Sequence, residues 1–452
     1  MPFIRSISGI RATVNDSLNK DIIQQYIRGF AQYLPQGSVV VGFDGRPSGT
    51  WIAEIVTQTL SECGLDVLYI GIAPTPTVQL LTEQTPDCAG GISISASHNP
   101  IEWNGLKFIG GDGVFLDAEQ NSKFWKFVDS PDNNTGIAHH GTVTSLHNVM
   151  TYHIESITKN PLFSKAIDIC KKRSLTVVVD AVNASGSRYI PALLKEFGCN
   201  VIELYCDATG KFPHIPEPLP EHLYELQNAV IQHNADLGIA VDPDADRLVL
   251  IDENGIAIGE ERTITLCVLA ALIMNPPNDK PENVVVNLST TMAVNTVCKQ
   301  HNANIVRSAV GEINVVRLMQ STDAIIGGEG SGGVILPASH YGRDSLVGTA
   351  LILSLMTQIN KSLSEINATI PTYSMKKTKV EFTGNFSSIK QQLRILFSPK
   401  EFREDDGLYC QFEDSWLHVR TSNTEPIARI IAESSSDEQT QSLIDKALTV
   451  FR

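Results

Sequence analysis

What this chain has little of narrows the reading first. Lys and Arg number 35 against 50 Asp and Glu, a formal charge of -15. A surface so short of cations argues against broad binding to a nucleic-acid backbone or an anionic membrane, since both need surplus Lys and Arg. A small anionic substrate stays open, provided that basic groups gather in one cleft. No stretch has the uninterrupted apolar length of a membrane span, and the start, MPFIRSISGIRATV, lacks the apolar core and cleavage site of a secretory signal. A cytoplasmic chain is expected. The eight cysteines (Cys63, Cys88, Cys170, Cys199, Cys206, Cys267, Cys298 and Cys410) are scattered through apolar runs with no CxxC pair or zinc spacing. They read as buried, reduced thiols.

What is present is ordinary globular material: 452 residues, 42% hydrophobic, with 32 Gly and 22 Pro punctuating short elements. That length exceeds one core, and three or four domains are expected. Self-similarity organises them. A Val-rich strand ending in small or acidic residues occurs three times, as SVVVGFDGR (38–46), TVVVDAVNASG (176–186) and NVVVNLSTT (283–291). Such β-branched runs suit strands buried on both faces. A helix and a second strand follow each time: GLDVLYIGIAPTP (64–76), GCNVIELYCDATG (198–210) and NANIVRSAVGE (302–312). The third strand of each copy runs into the least ordinary sequence of that copy: SASHNP (95–100), DPDADR (242–247) and GGEGSGG (327–333).

Alternating strands and helices predict α/β units whose ligands collect beyond the carboxyl ends of the strands. After the first two loops the chain makes a hairpin return, GLKFIGGDGVFL (105–116) and LVLIDENGIAIG (248–259). The last eighty or so residues break the pattern and predict a small α+β domain with a fourth polar loop, RTSNTEP (420–426). Linkers are expected near 130–150, 253–260 and 362–376, where polar residues interrupt.

The loops carry distinct chemistry. In DPDADRLVLIDE, Asp242, Asp244, Asp246 and Glu253 stand at calcium-loop spacing, but Arg247 occupies the place of the glycine that an EF-hand turn needs, between strands instead of helices. Three carboxylates at alternate positions repel unless a cation holds them, and a compact oxygen set with room for phosphate or water suits Mg²⁺. Ser97 is the candidate nucleophile. It has no triad spacing and no G-x-S-x-G elbow, so acyl transfer is disfavoured. A serine facing a Mg²⁺ loop suits phosphoryl transfer, which depends on positioning and charge neutralisation.

Glu329 and Ser331, set among glycines, suit hydroxyl or amine binding. Arg420, Ser422, Asn423 and Thr424 offer consecutive donors for a phosphate dianion. Ser8 and Arg11 add a cationic reach near the start, although a surface Arg is the commoner meaning. Lys107 would ordinarily read as solvated, but it follows Ser97 by ten residues.

SASHNP with NGLK, DPDADR, GEGSGG and RTSNTEP, in that order, resemble the α-D-phosphohexomutase family over essentially the whole chain. The resemblance implies an α/β fold: three similar α/β domains with mixed sheets between helices, plus a smaller α+β, TATA-binding-protein-like, C-terminal domain. With the linkers, the expected division is 1–145, 146–254, 255–367 and 368–452. It implies Ser97 as the phosphoserine, and Asp242, Asp244, Asp246 and Ser97 as Mg²⁺ ligands. Glu329 and Ser331 would contact sugar hydroxyls, and Arg420, Ser422, Asn423 and Thr424 the phosphate that stays put. Arg11, Lys107, Arg247 and His98 join the catalytic set, Lys107 as candidate proton carrier.

The implied reaction interconverts hexose 1-phosphate and 6-phosphate through a bisphosphate, with Mg²⁺ as cofactor and a hexose 1,6-bisphosphate as primer. A hexose or hexosamine phosphate is the expected partner. Two departures matter: Gly333 stands where many bacterial members carry a histidine, for which His340 is a candidate substitute, and Ala12 follows Arg11 where glycine is common. SISGIR and GGEGSGGVILP are similar to the phosphoglucosamine mutase branch and SNTEP to the phosphoglucomutase/phosphomannomutase branch, so glucosamine phosphate is set ahead of glucose and mannose phosphates. A phosphosugar phosphatase and a non-catalytic phosphosugar sensor are the alternatives.

Overall fold

The computed structural model describes residues 3–130, 139–275, 280–422 and 426–451. The three Val-rich runs form the strands Ser38–Phe43, Thr176–Asp180 and Asn283–Asn287. Each is flanked by parallel neighbours from its own copy. The second strands are Asp66–Ile72, Asn200–Leu204 and Asn304–Ser308, and the third are Cys88–Ile94, Leu237–Val241 and Ile326–Glu329. An antiparallel return then pairs with each third strand: Trp103–Gly110, Leu248–Ile251 and Gly333–Ile335. The order return, third, first, second is therefore the same in all three sheets.

The returns after the first two loops are the expected hairpins, and the third was not anticipated. Gly333–Ile335 is three residues long and follows a glycine run, so it lacked the alternating apolar signature that betrays a strand. The first sheet is also extended by Ile4–Ser6 and Gly9–Thr13 on one edge and by Val143–Ser145 on the other, giving seven strands. That edge strand lies inside the stretch read as a linker at 130–150.

Each first strand ends on a side chain that caps the following loop. The carboxylates of Asp44 and Asp180 and the amide oxygen of Asn287 accept from the backbone N–H two residues on, at 3.1, 2.9 and 2.9 Å. Such Asx turns release the chain sharply from the sheet and leave its carboxyl edge open for ligands.

The fourth unit is an antiparallel sheet in the order Ser374–Glu381, Ile427–Ser434, Ser415–Thr421, Leu408–Gln411, Glu401–Arg403, with helices Phe386–Phe397 and Asp437–Leu448. The stretch read as a linker at 362–376 holds the helix Leu363–Asn367, whose SLSE start is a capping box between Ser362 and Glu365.

One apolar core runs continuously through the three α/β units, from Ile70 and Val78 through Val177 and Ile239 to Val285 and Leu351. The helices Glu260–Met274 and Ser345–Ile359, the latter buried along almost its whole length, lie within it. The fourth unit has its own core around Leu393, Leu417 and Ile430, and meets the third through Leu288, Met292, Tyr409 and Trp416. Six cysteines are buried, and Cys88 and Cys206 are half-buried. Among the described residues no helix is long and apolar enough to cross a membrane.

Candidate active site

The Ser97 loop is held from beneath. Arg46, wholly buried, pairs with Asp44 at 2.9 Å and donates to the carbonyls of Ser97 (2.5 Å), Asn99 (2.8 Å), Pro100 (2.6 Å) and Trp103 (3.0 Å). Ser95 Oγ donates to Asp44 at 2.7 Å and accepts from Ser97 N–H at 2.8 Å. This scaffold keeps Ser97 at φ 51°, a left-handed conformation that costs a serine on the order of 1–3 kcal/mol and points to a functional constraint. Ser97 Oγ then donates to Asp242 at 2.8 Å, across a domain boundary, with His98 Nδ1 at 3.3 Å.

Asp242, Asp244 and Asp246 are buried, with carboxylate oxygens within 4.8 Å of one another. Asp242 Oδ1 accepts from the backbone of Asp246 and Arg247, each at 3.2 Å, and Thr75 Oγ1 donates to Asp244 at 2.6 Å. Ser345 Oγ donates to the carbonyl of Ala245 at 2.6 Å, fixing a residue at φ 50°. Three cations neutralise the group. Lys107, buried and not solvated, binds Asp244 and lies 3.4 Å from Asp246; Arg343 reaches Asp246 at 2.6 Å; Arg247 stands 3.9 Å from Asp242 and Asp246.

Burial and the neighbouring carboxylates push the Asp242 carboxyl well above its usual range. Burial acts the same way on Asp244 and Asp246, but Lys107 on the first and Arg343 on the second override it and hold both low. Lys107 is disfavoured as a cation by burial, yet the Asp244 and Asp246 charges raise it and keep it protonated. His98 is pushed well below its ordinary value by the Arg247 charge and by burial, so it is neutral. Asp244 Oδ1 and Asp246 Oδ1 are buried with no hydrogen-bond partner. Two orphaned carboxylate oxygens beside a third carboxylate fit a hard, oxygen-seeking divalent cation such as Mg²⁺.

Glu329 Oε1 accepts from Asn287 Nδ2 and Gly311 N–H, both at 2.9 Å, and its Oε2 accepts from Arg343 at 2.7 Å. His340 is not near this loop's ligand face. It is buried, its Nε2 lies 3.1 Å from Asp344, and its Nδ1 accepts from Gly342 N–H at 3.0 Å. His153 joins the same carboxylate at 2.9 Å. Buried at the junction of three domains, His340 cannot stand in for the missing histidine.

A cavity of about 470 Å³ opens beside these parts; Ser97, Asp242, Asp244 and Asp246 are buried behind its wall and are not among its lining residues. Arg11, His98, Lys107, Arg247, Glu329, Ser331 and Arg420 line it together with Ser8, as do residues the sequence reading missed, among them Glu217, Glu312, Arg343 and Lys377. Seven basic side chains face it, counting Arg11, Lys107, Arg247, Arg343, Lys377, Arg420 and Arg429, in a chain of charge -15. Arg11 also donates to Asn99 at 3.2 Å. Arg420 and Arg429 are cross-strand partners in the fourth sheet, and burial lowers the Arg420 guanidinium. Ser422 N–H donates to the carbonyl of Ile427 at 2.9 Å. Asn423 and Thr424 lie outside the described residues. Of the residues missed, Arg46 left one usable trace, a charged DGR closing a strand otherwise wholly apolar.

Comparison with known proteins agrees with this architecture. The phosphoglucomutase/phosphomannomutase family models match in order: alpha/beta/alpha domain I at 4–135, domain II at 151–255, domain III at 261–373 and the C-terminal domain at 378–450. The phosphoglucomutase/phosphomannomutase of Thermococcus kodakarensis is 34% identical over 98% of this chain and 97% of its own. A "probable phosphoglucosamine mutase" of Methanopyrus kandleri is 32% identical over the same shares. Among solved structures, a phosphoglucomutase/phosphomannomutase family protein of Burkholderia thailandensis superposes with a TM-score of 0.84 at 24% identity, covering 99% of this chain and 97% of its own. The chain belongs to the phosphoglucomutase/phosphomannomutase family of α-D-phosphohexomutases, isomerases that move a phosphoryl group within a sugar phosphate.

Proposed function

We propose that this chain interconverts the 1- and 6-phosphates of a hexose or hexosamine through a phosphoserine at Ser97. The P–O bond to Ser97 Oγ breaks as a P–O bond forms to the free hydroxyl of the bound sugar phosphate, giving a bisphosphate. After the bisphosphate turns over in the cavity, its other phosphoryl group returns to Ser97. The observation that carries this reading is the Ser97 hydroxyl, 2.8 Å from Asp242 of another domain and next in the chain to His98, which lines a cavity rich in basic groups.

Mg²⁺ held by Asp242, Asp244 and Asp246, with an oxygen at Ser97, would neutralise charge on the transferring group. Lys107, kept protonated, donates to a departing oxygen, and neutral His98 beside Ser97 is placed to accept a proton. Arg420 and the loop after it hold the phosphate that is not transferred, while Arg11 and Arg247 orient the other end. A hexose 1,6-bisphosphate primes the cycle by phosphorylating Ser97.

Glucosamine phosphate is set first, on the SISGIR and GGEGSGGVILP segments and the phosphoglucosamine mutase name carried by the Methanopyrus relative. The Glu329–Arg343 pair favours a second reading, the phosphate of a sugar without an amino group, glucose or mannose. A carboxylate already neutralised by a guanidinium gains little from a sugar ammonium. Phosphorus NMR decides between them. The Mg²⁺-loaded, bisphosphate-primed protein is incubated separately with glucosamine, glucose and mannose 1-phosphates. Conversion to a 6-phosphate that vanishes in Ser97→Ala supports the mutase reading and ranks the sugars. Free phosphate instead points to a phosphatase, and no change in any tube to a sensor; either outcome overturns the proposal.

A further inference from the structure

Arg343 answers the question left open by Gly333. Its guanidinium touches three carboxylates from three places: Asp246 of the metal loop at 2.6 Å, Glu329 of the glycine-rich loop at 2.7 Å, and Glu312 at the start of the helix Glu312–Thr322 at 3.0 Å. The space it occupies exists because position 333 has no side chain. A Cβ there would lie 2.2 Å from Arg343 Cδ, closer than any real contact. The departure at Gly333 and the presence of Arg343 are thus one structural fact.

The backbone around Arg343 is fixed on both sides, before it by Gly342 N–H donating to His340 Nδ1 at 3.0 Å and after it by the bonds of Asp344 and Ser345. Asp344 N–H donates to the carbonyl of Val334 at 2.8 Å, its carboxylate is held by His153 and His340, and Ser345 is bound to the metal loop. What remains adjustable is the planar fork at the end of a flexible stem, shared among carboxylates that compete for its donors. Asp246, Glu329 and Glu312 all draw on this one guanidinium, so a cation arriving at Asp246 changes how that fork is divided.

We propose that Arg343 is a positioning residue that couples cation binding at Asp242, Asp244 and Asp246 to sugar binding at Glu329. The inference rests on the phosphohexomutase reading of these two loops and extends it. When a divalent cation draws on the Asp246 carboxylate, the Arg343–Asp246 bond weakens and the guanidinium commits to Glu329 and Glu312. Glu329, held by Arg343 on Oε2 and by Asn287 and Gly311 on Oε1, then presents a pre-oriented acceptor to sugar hydroxyls. Ordering the acceptor before the sugar arrives lowers the cost of binding, so the two ligands favour each other, and by linkage the effect is reciprocal.

Calorimetry on the dephosphorylated protein tests this without turnover. Glucose 6-phosphate is titrated with and without saturating Mg²⁺, and Mg²⁺ with and without the sugar phosphate. The expected result is tighter sugar binding in Mg²⁺ by about fivefold or more, with the same factor in the reverse titration. Arg343→Met removes the factor and Arg343→Lys keeps part of it. Gly333→Ala, which displaces Arg343 without altering it, loses the factor as well, so the test stands even if Arg343→Met fails to fold.

Binding of both ligands with unchanged coupling in Arg343→Met or Gly333→Ala overturns the inference, as does a wild-type factor of one. Absence of glucose 6-phosphate, glucosamine 6-phosphate and mannose 6-phosphate binding in every metal state overturns the phosphosugar reading itself, and the inference with it.

Discussion

Ser97, buried behind the cavity-lining His98, and Arg420, which lines the cavity itself, rest on opposite kinds of support. Ser97 stands on a loop whose carbonyls are gripped by one buried arginine and whose hydroxyl meets a carboxylate of the next domain; its strand packs Ile92 and Ile94 in the first domain's own core, and the other face of that sheet joins a core continuous through three domains. Arg420 stands on a sheet with its own core, tied to the third domain by a four-residue apolar cluster and by polar contacts. Glu433 accepts from Met292 N–H at 2.6 Å and from Trp416 Nε1 at 2.8 Å, and Ser289 Oγ lies 2.8 Å from His418. The difference teaches a division of labour. A group that must meet a phosphorus atom within tenths of an ångström belongs on the shared core, where displacement disturbs packing across domains. A group that only holds an anion tolerates support from a separately folded unit.

The largest expected effect comes from the rigid side. Ser97→Ala removes the proposed phosphoryl carrier and should lower mutase turnover by about 10³-fold or more, with tryptophan fluorescence unchanged. A variant that retained turnover would detach the comparison from the chemistry. Next is Arg46→Met, which touches no ligand. It leaves Asp44 buried without its partner, at a cost of about 3–5 kcal/mol in stability, and frees the loop, so kcat should fall about 10²-fold. Thermal unfolding followed alongside kcat checks both; a loss of stability with kcat intact would show that the cradle is merely structural.

On the other side, Arg420→Ala should raise KM about tenfold and leave kcat nearly unchanged if Arg420 is the proposed phosphate anchor, because an anchor used equally in ground and transition states contributes uniform binding. An equal fall in kcat would place Arg420 with the reactive half. The smallest effect is expected at the seam, where Glu261 meets Lys377 of the fourth domain at 3.1 Å.

Burial pushes the Glu261 carboxyl up to about 7, against the Lys377 charge and the Thr291 N–H. A carboxyl raised above its unfolded value stabilises the fold most below that unfolded value. Its contribution is lost as pH rises through about 7. Glu261→Gln does not ionise, so its stability relative to the native protein should improve by about 1 kcal/mol between pH 5 and 8, after allowance for Lys377. Chemical denaturation at several pH values measures this, and a flat difference would mean that the seam does not sense protons.

Much of the fold was legible because it repeats. A Val-rich strand buried on both faces has few ways to read, and three copies in one order announced three sheets. What escaped was short or disguised: the three-residue return Gly333–Ile335, the edge strand Val143–Ser145, and a helix whose SLSE capping box looked like linker polarity. The loops were legible for the same reason as the strands, since each sits at a strand end and has a composition that packing does not demand.

The sequence by itself determined which residue types stand at the strand ends: a serine, three alternating aspartates, a glutamate among glycines, an arginine with hydroxyl and amide donors. Only the tertiary structure decided their partners. Lys107 meets Asp244 across 137 residues, Arg343 meets Asp246 across 97, and Arg46 reaches Pro100 across 54. It also removed His340 from consideration by burying it against Asp344. The physical reason is that charge pairing in a cleft depends on distance and desolvation. Both are set by how domains pack, and neither is written in the local pattern of a strand or a turn.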